Sequence, residues 1–395
     1  MKILKGNRGL YLPSRGLATT LSLLFALIYT QDLGVINRSY VAVIMTFSVL
    51  IIVFMTSGTT LTLRNLSTSA KTTENISSFI SLVVIEGAAG LFLFFLALIS
   101  FSILKDPLPQ PLIFISLLYF IFSALHLILM EVLLAYKNFA QAGKYEILTI
   151  IFQILFYYFS GLIPALSIAS RLFLSFSASY AIIIVLSYLL VRPHFSHIRK
   201  LVSPRVFFEQ SKGNHSIGTV LGIIDRLDRL VIAWFLPITY LGKYTVMSSF
   251  ISFFRFIPDS LSKLMISSKS RVLGNFLKNP KLLFLGVAGL IAIIITVSQI
   301  LISNILGTEW LLPWSISLIF ALQELARGAF QLAGNYKVSV GSSSQTHIAA
   351  LILLFTAGPL AIALSYWQGI IGVPLGFFIS YSGLLLYLRR RGKLV

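Results

Sequence analysis

The sequence predicts an all-α protein that crosses a membrane about twelve times, and three observations predict it. Of the 395 residues, 57% are hydrophobic and only 11% charged, with a mean hydropathy of +0.91. A soluble domain carries about 25% charged residues. Apolar windows of about 20 residues, enough to cross a ~30 Å hydrocarbon core, recur along the whole chain between Gly, Pro and charged punctuation. Lys and Arg then fall almost entirely into alternate connections.

The windows lie near 12–30, 37–60, 77–104, 112–135, 145–166 and 170–191, and again near 213–236, 240–264, 282–306, 311–333, 346–367 and 369–388. This organisation predicts an N-terminal six-helix bundle over 1–191, a cytoplasmic linker over 192–212, and a C-terminal six-helix bundle over 213–395 that ends in a basic tail. Within the linker, Pro204 to Gln210 reads as a short interfacial helix. The N-terminal MKILKGNRGLYLPSRG is basic and lacks a small-residue cleavage site, so it reads as the approach to an uncleaved first span.

Placing both termini in the cytoplasm puts 23 of the 31 Lys and Arg residues in inner segments. Arg38, Lys105, Arg171 and Lys243 remain outside, and Arg226, Arg229, Arg255 and Arg327 fall within spans. The lopsided split is what membrane orientation requires. It also accounts for the net charge of +19 without a nucleic-acid partner. The expectation is a multi-pass protein with both termini on the cytoplasmic side.

Several chemistries are excluded. There is no cysteine, and the five histidines show no metal-ligand spacing, so no metal site is expected. No phosphate-binding glycine loop supports direct ATP drive. The outer connections are too short to house a catalytic domain, and the chain is expected not to be an enzyme.

The most informative stretch is Gly222 to Tyr244, GIIDRLDRLVIAWFLPITYLGKY. At 100° per residue, Asp225, Arg226, Asp228 and Arg229 share one polar sector of an otherwise apolar helix. Ionisable groups at that depth are costly unless they face protein or a water-filled cavity. The halves of the chain also echo one another. Leu33-Gly34-Val35-Ile36-Asn37-Arg38-Ser39-Tyr40 opens the second span, and Leu236 to Tyr244 opens the eighth with Gly242-Lys243-Tyr244. Ala135-Tyr136-Lys137-Asn138 is matched by Gly334-Asn335-Tyr336-Lys337. Six spans per half predict parallel repeats about an axis along the membrane normal.

The Asp-Arg pattern of the seventh span, followed by Leu-Gly-Lys-Tyr opening the eighth, resembles the polysaccharide translocases. These are the Wzx-type flippases of lipid-linked oligosaccharides, in the MATE-like (MOP) transporter superfamily. The resemblance spans nearly the whole length, and the first half departs from it by carrying Arg38-Ser39 where the second has Gly242-Lys243. It implies a MATE-like fold and alternating access. Through a cationic central cavity it would carry an undecaprenyl-pyrophosphate-linked O-antigen or capsule repeat unit from inner to outer leaflet, and it implies a polysaccharide polymerase and a chain-length regulator as partners.

Arg226, Arg255, Arg229 and Arg327 are the candidate substrate-binding groups, because a guanidinium is an always-charged planar fork suited to phosphate. The competing reading is neutralisation within each helix: Arg229 by Asp225, Arg327 by Glu324, and Arg255 by Asp259. Glu86, Asp225, Asp228, Asp259 and Glu324 likewise have two readings. They balance the arginines, or they bind H⁺ or Na⁺ and couple transport to an ion gradient, since burial favours the protonated carboxyl. No other cofactor is expected. The alternative functions are a MATE-like ion-coupled exporter of small molecules and, further off, a membrane polysaccharide polymerase or ligase.

Overall fold

Gly34 divides what would otherwise be a single 56-residue helix. It adopts φ 67° and ψ 172°, a backbone state open to glycine and strained for other residues. The break falls where the sequence separates its first two spans. The structure, a computed structural model, describes residues 11–66, 72–135, 138–195, 204–251, 293, 295–339 and 343–391. Among these no strand occurs.

The helices are α1 (Tyr11–Leu66), α2 (Thr72–Leu104), α3 (Gln110–Ala135), α4 (Phe139–Ser160), α5 (Ile168–Phe195), α6 (Pro204–Phe235) and α7 (Ile238–Ile251). They continue with the apolar α8 (Ile295–Ile305), then α9 (Trp314–Ser339), α10 (Ser343–Gln368) and α11 (Gly372–Arg391). Among the described residues, five stretches are long and apolar enough to span a membrane. Two of them, Pro13–Thr56 and Ile348–Tyr387, are of double length and are broken at Gly34 and at Gly369. Large apolar side chains such as Phe92, Ile103, Phe114 and Phe355 stay exposed along these helices, as a lipid solvent allows. The protein is an all-α, multi-pass membrane protein.

Two local readings differ from the sequence-based expectation. Pro204 to Gln210 is not a separate interfacial helix but the first two turns of α6, which begins at a proline whose fixed φ suits a helix start. The fifth span ends at Ser160, earlier than the apolar window, because Gly161 and Pro164 turn the chain. About half of each of the windows at 240–264 and 282–306 lies outside the described residues.

The described chain divides into two compact units. One takes Met1–Phe25 and Ile44–Ile223; the other takes Ala26–Val43 and Ile224–Val395. In the first unit α5 packs on α3 and α4, and α2 on α3. Aromatic contacts fill its core: Phe25 meets Tyr157 at 5.6 Å and Phe176 at 6.1 Å, and Tyr119 meets Phe173 at 5.0 Å. Each such pair contributes about 0.5–1.5 kcal/mol beyond its buried area. Arg15 and Glu146 form an ion pair of 3.2 Å between α1 and α4.

In the second unit α11 packs on α10 and α9, and α9 on α7. Small residues allow this: a Cβ at Gly376 would lie 2.6 Å from the Ala361 backbone. The middle of α1 belongs here. The Gly242 N–H donates to Ser39 Oγ at 3.1 Å, and Ser39 Oγ–H donates to the Val35 carbonyl at 2.8 Å. The two echoing segments of the sequence are therefore in direct contact.

Candidate functional site

The charged sector of α6 lies within the second unit and faces protein. Asp225 is met by Arg327 of α9, whose Nε donates to Asp225 Oδ1 at 2.7 Å while its terminal NH2 donates to the Asp225 carbonyl at 2.7 Å. The same guanidinium also ion-pairs with Asp225 Oδ1 through NH2. Its remaining arm, NH1, reaches Glu324 Oε1 one turn earlier on α9 at 2.9 Å. Gln331 Nε2 lies 3.4 Å from Asp225 Oδ1. Arg327 is 2% exposed and Glu324 4%, so the cluster is dry on the α9 side.

One turn along α6, Asp228 is 2% exposed. It accepts the Tyr244 hydroxyl at Oδ2 over 2.9 Å and the Arg229 backbone N–H at Oδ1 over 2.8 Å. Tyr244 is held in turn by Phe320 of α9, ring centroids 4.5 Å apart and nearly parallel. The Arg229 guanidinium donates to Ser248 Oγ of α7 at 2.9 Å. Arg226 and Arg229 are half-buried. Three helices thus supply the polar groups of this region: Asp225, Asp228 and Arg229 from α6, Tyr244 and Ser248 from α7, and Glu324 and Arg327 from α9.

These placements sort the candidates. The Arg327–Glu324 pair forms as the helical spacing suggests, yet Arg327 also binds Asp225 from 102 residues away. Its donors are committed to carboxylates and a carbonyl, which is a charge-balancing arrangement. Glu86 is half-buried on α2, which belongs to the first unit. Arg255 and Asp259 lie outside the described residues.

Several solved structures resemble this chain over nearly its whole length. The lipid II flippase MurJ in an inward closed conformation matches with a TM-score of 0.65 and 18% identity, covering 95% of this chain and 85% of that one. An outward-facing multidrug-resistance MATE family transporter of the MOP superfamily matches with a TM-score of 0.71 and 11% identity, covering 99% and 97%. A point mutant of the Vibrio cholerae MATE transporter VcmN gives 0.63 and 14%, covering 99% and 97%. The chain has the MATE/MurJ fold. No known family model matches the sequence, and no curated protein does.

Within this MATE/MurJ fold, residues that the charge pattern alone did not single out complete the site. Tyr244 was legible as a repeat position but not as the partner of Asp228. Gln323, fully buried on α9, and Gln331 join Glu324 and Arg327 on one helical face. Their spacing of three to four residues is a polar stripe that reading the helix by faces would have found.

Proposed function

We propose that this protein is a flippase of the Wzx type that moves an undecaprenyl-pyrophosphate-linked oligosaccharide, an O-antigen or capsule repeat unit, from the inner to the outer leaflet of the bacterial cytoplasmic membrane. Both termini are then cytoplasmic, the cycle is alternating access, and the chain makes and breaks no covalent bond. The reading is carried by the pair Arg226 and Arg229, half-buried in the charged sector of α6. Two guanidiniums in such a setting suit phosphate oxygens that must leave water. Arg255 belongs to the same proposed lumen; Arg327 serves to hold α6 and α9 together. The likeness in fold to the lipid II flippase MurJ supports the lipid-linked class of substrate.

A MATE-like ion-coupled exporter is the second reading. It is favoured by the commitment of Arg327 to the carboxylates Asp225 and Glu324, and by the TM-score of 0.71 with a multidrug-resistance transporter. On either reading Asp225, Asp228 and Glu324 are the carboxylates through which H⁺ or Na⁺ would couple.

The test is deletion of the gene in its host, with the polyprenyl-linked glycan assayed by leaflet. Full-length repeat units trapped on the cytoplasmic face, with surface polysaccharide lost, support the flippase. Repeat units that reach the outer leaflet and stay unpolymerised favour a polymerase or ligase. Unchanged glycan with altered drug tolerance favours the exporter.

A further inference from the structure

We infer that Arg38 and Tyr29, on the two sides of the Gly34 break in α1, form a binding site for a phosphate group. Arg38 is only 4% exposed, and Tyr29 6%. The guanidinium lies over the Tyr29 ring, 5.2 Å from its centroid. Its Nε is buried without a hydrogen-bond partner, and among the described residues no acid, the neighbouring Asp32 included, lies within ion-pair distance. A ring face offsets only part of what a guanidinium loses on leaving water, and among the described side chains no anion makes up the rest.

The backbone around it suits an anion. The helix restarts after Gly34, so Val35, Ile36 and Asn37 form a first turn, where N–H groups and the helix dipole favour negative charge. Side chains on a helix tilt toward its start, which brings Arg38 back over the break to Tyr29. The adjacent polar groups are already used: Asn37 Nδ2 donates to the Leu33 carbonyl at 3.1 Å, and Ser39 Oγ serves Gly242 and Val35. Arg38 is left as the donor for a ligand. By the charge asymmetry of the sequence the break in the middle of α1 faces away from the cytoplasm, where phosphate arrives as a lipid headgroup or as a free phosphate or pyrophosphate. The site is separate in sequence from the arginines of α6 and stands whether or not the chain is a flippase.

Two probes test it on the full-length protein. Pyrophosphate is titrated against the thermal unfolding midpoint in detergent, and retained lipid is counted by native mass spectrometry from discs of mixed phosphatidylglycerol and phosphatidylcholine. If wild-type protein is stabilised by pyrophosphate and Arg38→Gln weakens the apparent affinity tenfold or more, the ligand is a free phosphate. If only phosphatidylglycerol is retained and Arg38→Gln loses it, the ligand is a lipid headgroup. If wild type takes up neither probe, or Arg38→Gln takes up both equally well, the site does not exist. Should Arg38→Gln fail to fold, Asn37→Asp at the exposed neighbouring position decides: weakened uptake supports the site, and unchanged uptake overturns it.

Discussion

Arg327 of α9 and Asp225 of α6, 102 residues apart, are joined twice: Nε to the carboxylate at 2.7 Å and NH2 to the backbone carbonyl at 2.7 Å. The contact matters because it turns the most expensive feature of the sequence, charges inside a span, into a link between helices. A carboxylate and a guanidinium buried together cost far less than either alone. Arg327→Met removes the bridge and leaves Glu324, 4% exposed, without its cation. The expected loss is about 3–5 kcal/mol of stability, read as a lowered unfolding midpoint in detergent. Adding Glu324→Gln should recover part of it, because the stranded charge is then gone. A wild-type midpoint in Arg327→Met would show that the link contributes nothing.

Tyr244→Phe keeps the stack on Phe320 but deletes the hydroxyl that Asp228 accepts. Asp228 retains the Arg229 backbone N–H, so the loss is limited to about 1–3 kcal/mol, the cost of one unsatisfied buried acceptor. Tyr244→Leu loses the ring contact as well and should cost about 0.5–1.5 kcal/mol more. Equal midpoints for the two variants would place the whole effect in the hydroxyl.

Periodicity and charge made the helical class and most element positions readable, because a bilayer imposes both a span length and a sign on the connections. Asp225 and Arg229 at i, i+4 were equally readable as an intrahelical pair. What the sequence did not reveal was that Asp225 is engaged by Arg327, since helical spacing says nothing about contacts 102 residues away. Tyr244 was hidden for the same reason: its partner, Asp228, lies across a helix–helix contact, and a tyrosine near a span end reads first as an interfacial anchor. The split of α1 and α6 between the two units was also hidden, because a helix keeps its hydrophobic pattern when its ends pack with different neighbours.

Gly242→Ala tests the contact between the echoing segments. The new Cβ would stand 2.7 Å from Ser39 Oγ and 2.8 Å from the Val35 carbonyl, and the carbonyl belongs to backbone that cannot swing aside. Overpacking of this kind costs about 1–3 kcal/mol. Ser39→Ala removes both hydrogen bonds of the hydroxyl and one of the two steric obstacles, so it should cost about 1–3 kcal/mol, at about 0.5–1.5 kcal/mol per bond, and relieve part of the Gly242→Ala defect in the double variant. Strict additivity of the two midpoint shifts would contradict the contact.

Arg226→Ala and Arg229→Ala separate transport from folding. Each removes a half-buried guanidinium, and Arg229→Ala leaves behind the Ser248 hydroxyl, a neutral group that loses little when this bond goes. Because both groups are half-buried while Arg327 is 2% exposed, stability should change less than in Arg327→Met. If these groups hold substrate phosphate, each charge-assisted contact is worth about 1.5–3 kcal/mol, roughly a ten- to hundredfold slowing of export. Lysine at either position keeps the charge but not the planar fork, so it should fall between alanine and wild type. The measurement is surface glycan per molecule of protein inserted in the membrane. Wild-type export by both alanine variants, at normal insertion, would remove α6 from the substrate path and move attention to Arg255.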